Sequence, residues 1–207
     1  MSPRTPSEKR HARTRQAIIN AARAILLKDG IDALSMRSLA EKVDYSPAAL
    51  YKYFDSKEKI LDALREEGWQ RSAEMQRTAL DPRAPIIEQL YTSGSVYLQF
   101  ARQYPELYHL MFNVSESGPQ QSLSEITADP NFAGLSNLVR QGVENGELEL
   151  PPGMTPESLR WQAWFMTHGI AMLRMTLMRN CQEEFDEVAV QVLQAQIESF
   201  KKNNMKQ

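Results

Sequence analysis

The chain has 207 residues, 42% of them hydrophobic and 24% charged, which is enough apolar surface for one large domain or two small ones. Its single cysteine, Cys181, excludes an intrachain disulfide framework and fits a reducing compartment, so a cytoplasmic protein is expected. The formal charge of −2 hides an asymmetry: Met1 to Ile60 carry 12 Lys and Arg against 7 Asp and Glu, the remainder 12 against 19, a basic head on an acidic body.

Helical periodicity dominates and no stretch alternates as a strand, so the expected fold is all-α. The first helix should run from about Glu8 to Lys28, with Ile18, Ala22, Ile25 and Leu26 as its apolar stripe and Gly30 placed to stop it. Ser35 reads as the N-cap of a short helix ending at Val43. Ser46-Pro47 is a second start signal, cap then first-turn proline, for a helix ending near Tyr53. Asp55 with Glu58 resembles a capping box that opens a longer helix toward Leu80. Further helices are expected from Pro85 to Gln103 and from Pro105 to near Asn113. Residues 115–129 are rich in Ser, Gly, Pro and Gln and read as a mobile loop. Asp129-Pro130 starts a helix that Gly146 ends, Thr155-Pro156-Glu157 starts an apolar one reaching about Asn180, and a last one covers Phe185 to Lys202 before a frayed tail. Gln162, Thr167, His168 and Arg174 interrupt the most apolar stretch, so no membrane span is expected.

Two short helices joined by about three residues, behind a longer first helix, are the layout of a helix-turn-helix. Leu39, Ala40, Val43, Leu50 and Phe54 would form its small core. The second short helix would present Ala48, Ala49, Tyr51, Lys52 and Tyr53 outward. Small residues let a backbone approach base edges, and Tyr and Lys reach phosphate oxygens. On these residues the stretch LSMRSLAEKVDYSPAALYKYFDSKEKILDAL (34–64) resembles the TetR-family DNA-binding domain. The resemblance implies an N-terminal three-helix DNA-binding domain, set at 1–60, and a helical bundle at 61–207 for effector binding and dimerisation. It implies that Arg37 reaches DNA from the second helix and that Pro47, Ala48 and Ala49 face bases. Tyr51, Tyr53 and Lys57 then fall at phosphates, with Lys52 as a helper. Asp44 stands where the family usually has a turn glycine; Asp tolerates the left-handed backbone better than most residues.

The body carries no GxSxG, HExxH or Cys/His cluster, so no enzyme, metal or cofactor is expected. Tyr97 to Phe112 and Trp161 to Met175 are rich in aromatics and Met, a composition that suits an apolar small-molecule cavity. Trp164, His168 and Gly169 resemble a subgroup of TetR C-terminal domains. That resemblance implies an effector near Phe100, Tyr104, Tyr108, Met111, Trp164 and His168, with Gly169 allowing close helix approach. In the last helix Val188, Val192, Ala195 and Phe200 offer one apolar surface and Val190, Leu193 and Ile197 another. The resemblance implies a homodimer through the last two helices, a pseudo-palindromic double-stranded operator, and release of a repressor by a small-molecule effector.

Overall fold

A computed structural model describes residues 5–112, 122–128 and 130–201. Among them lie ten α-helices, one 3-10 turn and no strand, beyond a single bridge between Leu148 and Lys201. The chain divides into two compact units, one within Met1–Gln70 and Glu106–Val114, the other within Arg71–Pro105 and Ser115–Gln207. The division falls at Gln70 and the expected boundary at residue 60, both within the same helix.

In the first unit, α1 (Pro6–Asp29) starts two residues before the expected Glu8, because Thr5 and Glu8 form a capping box. Its buried face is Ile18, Ile19, Ala21, Ala22, Ile25 and Leu26. Gly30 ends it at φ 81°, a backbone that a side chain would strain. After the 3-10 turn Ile31–Ala33 comes α2 (Met36–Val43), whose first turn is held by Ser35 accepting the Ser38 N–H. Asp44 closes α2 at φ 57° and ψ 46°, the one non-glycine residue with positive φ among those described. The Ser46 side chain then caps α3 (Pro47–Leu50). Regular α-helix stops at Leu50, earlier than the expected Tyr53, and the chain turns on through Tyr53 N–H to Leu50 carbonyl.

Helix α4 spans Lys57–Ala79 and contributes to both units. The expected Asp55–Glu58 capping box does not form: the Ser56 hydroxyl accepts the Lys59 N–H, and Glu58 pairs with Arg65. Leu39, Ala40, Leu50, Phe54, Ile60, Leu61 and Leu64 are buried, and Val43 is half-buried. In the same unit the part of α6 (Pro105–Phe112) from Glu106 onward packs on α4: Gly68 admits Met111, Arg65 donates to the Leu110 carbonyl, and Trp69 meets Phe112 edge-on.

The second unit holds α5 (Ile86–Gln103), α7 (Leu123–Ala128), α8 (Pro130–Glu144), α9 (Pro156–Met175) and α10 (Gln182–Ser199). Its core is Ile86, Leu90, Leu138, Val139, Leu148, Leu159, Leu193, Ile197 and Phe200. Helix α5 has no side-chain cap of its own; Glu147, on the connection after α8, accepts the Ile86 N–H. Helix α7 lies inside the stretch expected to be a loop. Ser122 and Glu125 exchange hydrogen bonds as a capping box there, a signal that the Ser/Gly/Pro content outweighed. Residues 113–121 and 129 of the expected helix end and loop, and the tail from 202, lie outside the described residues.

Helices α9 and α10 also differ in their bounds from expectation. Helix α9 stops at Met175, not Asn180, since the Thr176 N–H already bonds back to Leu173 and Met172 and Leu177 finds no cover. Helix α10 runs Gln182–Ser199, and its Phe200 end is buried in the core, so Phe200 does not share an outer surface with the exposed Val188. Val190, placed with Leu193 and Ile197 from the sequence, is exposed, while those two are buried. Nothing lies within 4 Å of where a Gly169 Cβ would stand, so close helix approach does not explain that glycine. A Gly142 Cβ, in contrast, would meet Leu148 at 2.5 Å and Ile86 at 2.8 Å. Gly142→Ala is therefore expected to destabilise the protein by about 1–3 kcal/mol in denaturant unfolding, with Gly169→Ala no worse than neutral.

Candidate nucleic-acid interface and ligand region

In the first unit α2, the turn and α3 place Arg37, Pro47, Ala48, Tyr51 and Lys52 in solvent, with Ala49 half-buried. Tyr51 is 52% exposed. Pro47 and Ala48 at the start of α3 leave its first turn low and open. Arg37 is held along α2 by Glu41 at 3.2 Å, an exposed pair that a phosphate can replace at little cost. Tyr53 is half-buried: its ring lies 4.7 Å from that of His11 and meets Tyr45 edge-on at 6.4 Å. Lys57 is half-buried too and donates to the Ile31 carbonyl at 3.2 Å, tying the start of α4 to the 3-10 turn and leaving two ammonium protons for another acceptor. Tyr45, which the sequence leaves without a role, and the exposed His11 flank Tyr53. Tyr45 sits in the turn itself, and an exposed aromatic beside the cap Ser46 is the available signal.

Four of the six residues expected near an effector fall in the second unit. Phe100 is buried, and Tyr104 lies 5.5 Å from it under the Arg71 guanidinium, which donates to the Tyr104 hydroxyl. Trp164 stacks on His168 at 4.9 Å. The other two, Tyr108 and Met111, are buried in the first unit, where Met111 fills the space beside Gly68.

Tyr97, not singled out from sequence, joins Trp164 and His168. Its hydroxyl accepts the Trp164 indole N–H at 3.2 Å and shares a hydrogen bond of 3.0 Å with His168 Nδ1. Phe132 meets Trp164 edge-on at 5.6 Å. Burial holds the His168 imidazole below its ordinary value of 6.5, favouring the neutral ring.

This architecture has counterparts among known proteins. Residues 18–64 match the family model described as bacterial regulatory proteins, tetR family. Residues 90–195, half of the chain, match the model of the tetracyclin repressor-like C-terminal domain. The chain belongs to the TetR family. TetR-family proteins are DNA-binding transcriptional regulators, and α2 with α3 is the helix-turn-helix of this one. Its relatives include the HTH-type transcriptional repressor KstR of Mycobacterium tuberculosis, 36% identical over 64% of this chain and 60% of that protein. Another is the nucleoid occlusion factor SlmA of Marinobacter nauticus, 26% identical over 70% of this chain and 72% of that one. A protein of unknown function from Rhodococcus sp. RHA1 shares the fold at a TM-score of 0.75, with 24% identity, covering 91% of this chain and 95% of that one. The TetR family regulator PfmR of Thermus thermophilus does so at 0.66, with 20% identity over 91% and 98%. Among the described residues no helix is long and apolar enough to cross a membrane.

Two outcomes follow for this TetR-family chain. Asp44→Gly relieves the left-handed backbone and should raise stability by about 0.5–1 kcal/mol, read from the urea midpoint, while removing a carboxylate from the turn should tighten DNA binding. A folded-state pKa lowered below 6.5 at His168 means that the folded protein takes up its proton later than the unfolded chain. Its contribution to stability is complete above 6.5 and lost as pH falls through the lowered value, so His168→Gln should flatten the fall in melting temperature between about pH 7 and 5.

Proposed function

We propose that this chain is a cytoplasmic repressor: a homodimer on a pseudo-palindromic operator, released by a small molecule bound in the second unit. The observation that carries the reading is the exposed face of α3, small at its N-terminal end and edged by Tyr51 and Lys52. In this reading Pro47, Ala48 and Ala49 face base edges, and Arg37 reaches DNA from α2. Tyr51, Tyr53 and Lys57 hold phosphates with help from Lys52. The similarity to KstR, named a repressor, supports repression.

The homodimer through the last two helices is supported by apolar side chains left in solvent on one chain. Phe165, Leu173 and Val188 are 61%, 43% and 51% exposed on α9 and α10. Exposed apolar side chains on these two helices fit an interface, and a two-fold pair would set two α3 helices about 34–36 Å apart, one turn of DNA. The effector region is read at Phe100, Tyr104, Trp164 and His168, with Tyr97 added; Tyr108 and Met111 keep only the support of the family resemblance. Helix α4 contributes to both units and is the element through which a bound effector would alter the heads.

Fluorescence anisotropy on DNA flanking the protein's own gene, at two salt concentrations, tests the assignment. Lys52→Ala should weaken binding to flanking and scrambled DNA alike and reduce the salt slope by about 1, whereas Ala48→Asp should cost affinity for the flanking DNA most. Wild-type affinity in both variants would contradict the α3 reading.

A further inference from the structure

Arg160 occupies an unusual place for an arginine. It lies in the second turn of α9, and only 2% of its surface is exposed. Its Nε and Nη2 are buried and bonded to nothing. These two nitrogens form one edge of the guanidinium, the edge that takes both oxygens of a carboxylate side-on. The indole Nε1 of Trp161, whose ring lies 4.1 Å from the guanidinium carbon, is likewise buried and unbonded. Two neighbouring residues therefore offer three donor nitrogens with no acceptor. Glu157, one turn earlier, favours the charged guanidinium through space, but burial outweighs it and lowers the guanidinium pKa.

An ionised group buried without a partner destabilises a fold, and cation–π contact offsets only part of that cost. The geometry of this edge matches an anion with two coplanar oxygens. Around it the second unit supplies rings: Trp161 meets Trp164 at 5.4 Å and Phe165 at 5.4 Å, and Phe132 stands against Trp164. Arg160, Trp164 and His168 succeed one another at four-residue steps along one stripe of α9, about 12 Å from end to end at 1.5 Å per residue. The charged end of that stripe is Arg160, and its neutral polar end is the Tyr97–His168 pair.

We propose that the second unit binds an apolar carboxylic acid, its carboxylate held side-on by Arg160 with the Trp161 N–H beside it and its body against Trp164 and Phe132. This rests on the reading of the second unit as the effector region and adds to it the ligand's charge and class. It also gives the buried Nε and Nη2 of Arg160 an acceptor.

Isothermal titration calorimetry on the full chain with 4-phenylbutyrate and octanoate, against their neutral primary amides, tests the proposal. The acids should bind about tenfold or more tighter than the amides, a factor of the size expected for a charge-assisted bidentate pair. Arg160→Gln should bring acid and amide within about twofold, and Arg160→Lys should keep part of the preference. In the absence of ligand, Arg160→Met should melt higher than the parent, because it removes an uncompensated charge. Equal binding of acid and amide, no heat with either acid at millimolar concentration, a preference that survives Arg160→Gln, or a lower melting temperature in Arg160→Met would each overturn it. A last arm separates the two readings: an acid that binds through Arg160 but leaves operator affinity unchanged keeps the site and removes the effector role, whereas amides releasing DNA as well as acids keeps the effector role and removes the site.

Discussion

A helix of four residues has no stability or direction of its own, since nucleating one turn costs more than its hydrogen bonds return. Helix α3 exists because its surroundings hold it. Asp44 turns the chain through the left-handed region, Ser46 caps the first turn, and Pro47 fixes the backbone angle of its opening residue. Leu50 and Phe54 then anchor the far end in a core built from α1, α2 and the start of α4. With both ends fixed by buried or capped groups, the outward residues Ala48, Tyr51 and Lys52 need no packing role and stay in solvent. Lys57 and Tyr53 are each engaged inside the protein and partly presented to solvent.

The second unit follows a different rule. Its helices bury polar groups as well as apolar ones, and the polar groups fall into two kinds. Tyr97, Trp164 and His168 satisfy one another, so they cost little, and burial shifts the imidazole toward its neutral form. Arg160 and Trp161 remain unsatisfied. In a native protein a buried polar group left without a partner calls for an explanation, and the proposed ligand supplies one for a guanidinium stacked on an indole. A regulator's body needs such a feature, because a ligand shifts an equilibrium only through contacts that differ between states.

The head is legible in the sequence because its determinants are local. Caps, the first-turn proline, the helix-ending glycine and the left-handed Asp44 each act within a few residues, and the family motif spans a continuous stretch. The body is less so. Tyr97 and His168 meet across 71 residues, which no periodicity reveals. Arg160 is not singled out by the sequence, because nothing local shows that its side chain is buried. Sequence periodicity overextends α9 because Leu177 and Met178 continue the apolar run, yet Leu177 is 74% exposed on this chain. Tyr108 and Met111 read as body residues by composition, but α6 returns them to α4 in the first unit.

The claim on which the rest stands is that α3 reads sequence. The direct measurement is the affinity of the full chain for a duplex selected by it from a random library, compared with a scrambled duplex of the same composition at physiological salt. A preference of about 10³-fold or more, with two protein chains per duplex, is the result expected of a specific operator-binding dimer. Equal affinity for the two duplexes would contradict it and leave an electrostatic DNA binder without sequence preference.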